Sequence, residues 1–127
     1  MKLFGVGTDI IQVNRLKKSL NKKPFLSRIY SKEEILKCKR SKVNSNCFAK
    51  RFAAKEALFK AIGASNKLSF KDVEIVNNSL GAPKFKIKGL SLINLKKLFK
   101  NKKFKVHLSL SDDKPWAMAS VIVFLHK

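Results

Sequence analysis

Two acids stand in apolar surroundings, Asp9 inside LFGVGTDIIQV (residues 3–13) and Glu56 inside CFAKRFAAKEALFKAIG (residues 47–63). The chain has only 8 acidic residues against 29 basic ones, a formal charge of +21 over 127 residues, so an acid kept in an apolar element has a job. Buried charges are tolerated when they are paired or bind a metal. Glu56 and Lys60 are one helical turn apart, which allows a surface ion pair of about 0.2–0.5 kcal/mol. It equally allows a functional acid beside a cation. Asp9 can cap the end of a strand, or serve as a metal ligand if a second oxygen donor comes from elsewhere in the chain.

Wound at 3.6 residues per turn, residues 47–63 sort into sectors. Phe48, Phe52 and Phe59 fall within about 40° of one another, with Ile62 close by. Ala49, Ala53, Ala54, Ala57 and Ala61 occupy the opposite side, small enough for another backbone to approach. A helix apolar around most of its circumference belongs in a core or an interface. It ends at Gly63, a residue suited to a C-terminal cap.

The remaining elements must bring Asp9 to this helix. Residues 3–13 read as a first strand, where Gly5 and Gly7 mark a bulge or a close approach by a neighbouring chain or ligand rather than a dinucleotide fingerprint. Residues 14–30 read as a short helix, a break at Pro24 and a further turn. Arg15, Lys18, Lys22 and Arg28 make this segment strongly basic. Leu16, Leu20, Phe25, Leu26 and Ile29 are interleaved; a solvated face is the default reading, and exposed apolar residues there would favour docking of an acidic helix. Ser31 and Glu34 form a capping box for a helix over 32–40, and SKVNSN (41–46) is a polar loop. Strands are expected at 72–77 and 84–87 around the turn NSLGAP, and a helix at 89–101. Phe104–Ser111 alternates cleanly and pairs with Trp116–Leu125 across Asp112–Pro115. The fold class is α+β, a mainly antiparallel sheet with a long buried central helix, in one domain over 1–127.

Composition narrows the function classes. No run is long enough to span a membrane, and the first residues lack a basic segment leading into an apolar stretch, so neither membrane insertion nor secretion is expected. Cys38 and Cys47 have no metal-binding spacing and read as free thiols in a reducing cytoplasm. The charge favours an anionic partner. Only four of the cations are Arg, the usual residue for bidentate phosphate or base recognition. A nucleic-acid platform would gather basic and aromatic residues on one exposed face, whereas most phenylalanines here recur at core spacing. There is no P-loop, HExxH or GxSxG.

Four segments, GVGTDI (5–10), RFAAKEALFKAIG (51–63), NNSLGAP (77–83) and SLSDDKPWAMASVIV (109–123), together resemble the holo-[acyl-carrier-protein] synthase family of 4′-phosphopantetheinyl transferases. The central segment is the most specific. The resemblance implies a phosphopantetheinyl transferase-like fold and transfer of phosphopantetheine from coenzyme A to a serine of an acyl carrier protein, in fatty acid biosynthesis. It implies Asp9 and Glu56 as ligands of Mg²⁺, which takes one or two carboxylates together with phosphate oxygens and water, and Asp9, Glu56 and Lys60 as the catalytic set. Arg51, Phe52, Lys55, Lys60, Gly63, Leu80, Gly81, Ala82 and Pro83 match positions expected near the coenzyme. Arg15, Lys18, Lys22 and Arg28 would receive the carrier protein. A cytoplasmic trimer with active sites between subunits is implied, its assembly served by the Gly/Ala-rich surfaces and the final hairpin, with no nucleic-acid or membrane partner. Two positions depart from the family. Asp112 stands where many members have His, and Ala82 where Lys is common.

Overall fold

A computed structural model describes residues 1–127, apart from the Ser65 side chain. The elements run β1 (Lys2–Gln12), α1 (Val13–Leu20), α2 (Lys23–Ile29), α3 (Lys32–Arg40), α4 (Asn44–Ile62), β2 (Val73–Asn77), β3 (Pro83–Ile87), α5 (Gly89–Leu98), β4 (Phe104–Asp113) and β5 (Trp116–Leu125). One sheet has the order β1-β5-β4 and a second is the hairpin β2-β3, and every pairing is antiparallel. The expected α+β class is the one observed.

Helix α4 is the hub. Its alanines 53, 54, 57 and 61 join Val121 and Val123 of β5 and Val73 and Ile75 of β2 in the main core. The small side chains let β1 lie directly on the helix. A Cβ added at Gly5 would sit 2.0 Å from the Ala61 carbonyl oxygen, and one at Gly7 would sit 1.9 Å from that of Ala57. Any side chain there would force strand and helix apart. The alanine sector and the strand glycines therefore serve packing within the chain, which corrects their expected role in assembly. The final hairpin is different: residues of β5 alternate between exposed and buried along the strand. Its outer face and that of β1 present Val6, Ile10, Trp116, Met118 and Ile122 to solvent.

Boundaries moved where local chemistry outweighs periodicity. Helix α4 begins at Asn44, inside the segment read as a loop, and ends at Gly63 with φ 76°, as expected of its cap. The expected break falls at Asn21–Lys22, and Pro24 sits in the first turn of α2, where its missing N–H costs nothing. Helix α5 stops at Leu98, and Lys100 and Asn101 turn the chain with positive φ. Strand β4 continues through Asp113.

The cysteines also require correction. Cys38, in the last turn of α3, is disulfide-bonded to Cys47, in the first turn of α4. The short link between the helices brings the two turns side by side, which their sequence separation does not reveal. Between α1 and α2, Leu16 and Ile29 are buried while Leu20, Phe25 and Leu26 pack against the core. The exposed apolar surface expected there is absent among the described residues. Arg15, Lys18, Lys22 and Arg28 are all exposed.

Candidate active site

Asp9 lies in the middle of β1, paired with Ala119 of β5. The pleat points alternate residues of β1 at α4, and Asp9 shares the inward side with Gly5 and Gly7. It is no strand-end cap. Its Oδ1 lies 3.1 Å from Lys60 Nζ, which also donates to the Thr8 carbonyl at 3.0 Å. Lys60 thus pairs with Asp9, from a distant segment, instead of with its helical neighbour Glu56. The Glu56 carboxyl is held above its ordinary range, first by burial and then by the Asp9 charge, with Lys60 opposing the shift.

Two carboxylates and an ammonium group consequently converge from residues far apart in sequence. Lys60 is more than half exposed on its long stem, so it can exchange Asp9 for another anion. Among the described residues no cluster of three or more His, Cys, Asp or Glu side chains forms. Two carboxylates suit Mg²⁺, which keeps waters and phosphate oxygens in its shell. They suit neither an all-protein cage nor a zinc site. Glu56, Lys60, Phe59, Gly63, Leu68 and Phe70 line a cleft of about 640 Å³.

The other expected coenzyme residues do not all gather here. Arg51, Gly81 and Pro83 line a second cleft of about 810 Å³ with Lys37, Arg40, Lys42, Lys50 and Lys114. Arg51 and Glu56, five residues apart on α4, point about 140° away from each other. Arg51 is buried and donates through Nη1 to the Cys47 carbonyl and sulfur, while its Nε has no partner among the described residues. Such an orphaned donor beside a cationic cleft suits an anionic ligand. Leu80 and Ala82 are exposed on the β2–β3 turn beside this cleft and line neither one.

Two expected coenzyme residues are placed elsewhere. Phe52 stacks between Phe25 (6.2 Å) and Phe70 (5.8 Å) in an aromatic column. Lys55 is fully buried, donating to Glu34 Oε1 at 2.7 Å and to the Phe70 carbonyl at 2.8 Å. Glu34 closes the predicted capping box with Ser31 and also accepts from the Ile75 amide at 3.1 Å. This pair ties α3, α4 and β2 together. A capping Glu gives no sign in the sequence that its carboxylate also faces a buried lysine and a strand amide. Lys37, Lys50 and Asn46 likewise look like solvated surface in the sequence until α3, α4 and β4 meet.

Glu56 and Lys60 thus line one cleft with Asp9 held on Lys60 beside them, and a cation-lined cleft opens on another side of the same helix. The family model of the 4′-phosphopantetheinyl transferase superfamily matches residues 5–121. The holo-[acyl-carrier-protein] synthase of Pelagibacter ubique is 41% identical over 125 residues, covering 97% of this chain and 98% of that protein. Among solved structures, the holo-[acyl-carrier-protein] synthase of Neisseria meningitidis superposes with a TM-score of 0.83 at 32% identity, covering 98% and 99% of the two chains. The enzyme from Bacillus anthracis, solved in complex with CoA (3′,5′-ADP), gives 0.77 at 32% identity, covering 97% of each chain. The chain belongs to the 4′-phosphopantetheinyl transferase superfamily.

Proposed function

We propose that the chain transfers the 4′-phosphopantetheine group of coenzyme A to a serine of apo-acyl carrier protein, releasing adenosine 3′,5′-bisphosphate, in support of fatty acid biosynthesis in the cytoplasm. The observation that carries this reading is the convergence of Asp9, Glu56 and Lys60. Asp9 and Glu56 would hold Mg²⁺, whose charge, when bound, activates the diphosphate and stabilises the leaving group. Without a cation the two carboxylates oppose one another, consistent with the raised Glu56 pKa. Lys60, now on Asp9, is free to turn to a phosphate oxygen and neutralise charge there. Gly63, beyond the last helical turn, leaves that wall of the cleft without a side chain.

The cation-lined cleft of Arg51, Gly81 and Pro83 would take the nucleotide phosphates. It opens on a different side of α4, so a coenzyme reaching both clefts calls for a second copy of the chain. This supports a homotrimer with active sites between subunits. The exposed apolar face of β1 and β5 is the surface such an assembly would cover. Carrier proteins are acidic, and exposed Arg15, Lys18, Lys22 and Arg28 present the complementary charge.

Apo-acyl carrier protein incubated with the enzyme, coenzyme A and Mg²⁺ tests the reading by mass spectrometry. One added phosphopantetheine per carrier molecule is expected. An unchanged carrier mass would refute it.

A further inference from the structure

The cation-lined cleft contains one acid. Asp112, near the end of β4, shares it with Lys37, Arg40, Lys42, Lys50, Arg51 and Lys114. Its Oδ2 accepts from Asn46 Nδ2 at 3.0 Å, and its Oδ1 lies 3.4 Å from Lys50 Nζ. Asn46 and Lys50 are one turn apart on α4, so a single carboxylate holds two donors of that helix at the mouth of the cleft. It is one-third exposed and is not buried for stability. Lys37 donates to the neutral side-chain oxygen of Asn77.

Asp112 therefore has two consequences for any phosphate entering the cleft. It occupies donors that the phosphate would use, and it repels the phosphate directly. We propose that Asp112 is an internal counter-anion, holding Asn46 and Lys50 until a phosphate group replaces it and thereby weakening retention of the nucleotide. The proposal rests on the coenzyme reading of this cleft and adds a residue that opposes binding. In transfer, it speeds release of adenosine 3′,5′-bisphosphate at the cost of affinity for coenzyme A.

Calorimetric titration of the full chain with adenosine 3′,5′-bisphosphate compares wild type with Asp112→Asn and Asp112→Ala. Each variant removes the charge from a partly exposed position, and a melting curve checks the fold. Both should bind about two- to fivefold tighter than wild type, the range of a partly exposed ion pair. The gain should shrink at about 1 M salt, where screening acts within about 3 Å. Lys50→Met should weaken binding more in the Asp112→Asn background than in wild type, because Asp112 already occupies Lys50. A merely structural Asp112 would give weaker binding when removed.

Inorganic pyrophosphate, followed by the ¹⁵N shift of the Asn46 side-chain amide, is the second probe. If pyrophosphate binds more tightly to Asp112→Asn while no variant binds the bisphosphate, the counter-anion stands and the coenzyme reading fails. If wild type binds the bisphosphate and both variants bind it equally or more weakly, the counter-anion is overturned and the coenzyme reading stands. If neither ligand binds any variant, both are overturned.

Discussion

Lys55 and Lys60 sit on the same helix, and each pairs with an acid from a distant segment, yet the two pairs differ in kind. The Lys55–Glu34 pair is completely enclosed, and Glu34 is further held by the Ser31 and Ile75 amides. Lys60–Asp9 opens onto a cleft, with Lys60 more than half exposed and Glu56 alongside. An enclosed pair has no free valence for a ligand and contributes by fixing how α3, α4 and β2 meet. An open pair contributes little to stability and keeps both charges available for exchange. In KEA (55–57), adjacent residues thus divide between shape and chemistry.

The largest effect should come from breaking the enclosed pair. Lys55→Met leaves the Glu34 charge buried without its partner and should cost about 3–5 kcal/mol in urea unfolding. Lys60→Met should cost less than about 1 kcal/mol. Equal costs would erase the distinction between the pairs.

A smaller effect is expected at the basic face of α1 and α2, whose charges, like Lys60, are exposed. Reversing Arg15 and Arg28 to Glu should raise KM for carrier protein several-fold, more at low salt than at high salt, and leave KM for coenzyme A in place. No change at low ionic strength would remove that face from carrier recognition.

The smallest effect is on pH-dependent stability, and its sign follows from Glu56. Burial and the Asp9 charge raise its folded pKa above the unfolded value of 4.5. The folded state therefore holds this proton more tightly. The resulting stabilisation is complete below pH 4.5 and is lost as pH rises through the folded value. Glu56→Gln escapes that loss. In metal-free buffer its advantage over wild type should appear above pH 4.5, grow as pH approaches the folded value and level off beyond it. A constant difference between the two would show that Glu56 is not perturbed in the folded protein.

Much of this organisation is legible in the residues themselves. The apolar circumference of 47–63 required a buried helix, and the alternation of Phe104–Ser111 required a half-buried strand. Scarcity of acids singled out Asp9 and Glu56. Periodicity could not say which of two neighbouring cations turns inward, because a long stem reaches the core or solvent from nearly the same Cα direction. The family resemblance places Lys55 near the coenzyme, and it lies instead on Glu34. The resemblance places Phe52 there as well, whereas its helical spacing puts it in the aromatic stripe, and it packs between Phe25 and Phe70 as that spacing requires. Cys38–Cys47 and Asn46–Asp112–Lys50 are products of packing between elements, with no local signature in either partner.

The most direct test is transfer of phosphopantetheine to the carrier as a function of Mg²⁺ concentration, for wild type, Asp9→Ala and Glu56→Ala. Wild type should be silent in chelator and reach a plateau as Mg²⁺ rises. Each variant should retain its fold and fall at least about a hundredfold at saturating Mg²⁺, equal to about 2.7 kcal/mol of transition-state stabilisation. Near-normal turnover in both variants at that plateau, or equal wild-type turnover in chelator, would contradict the assignment of the paired acids.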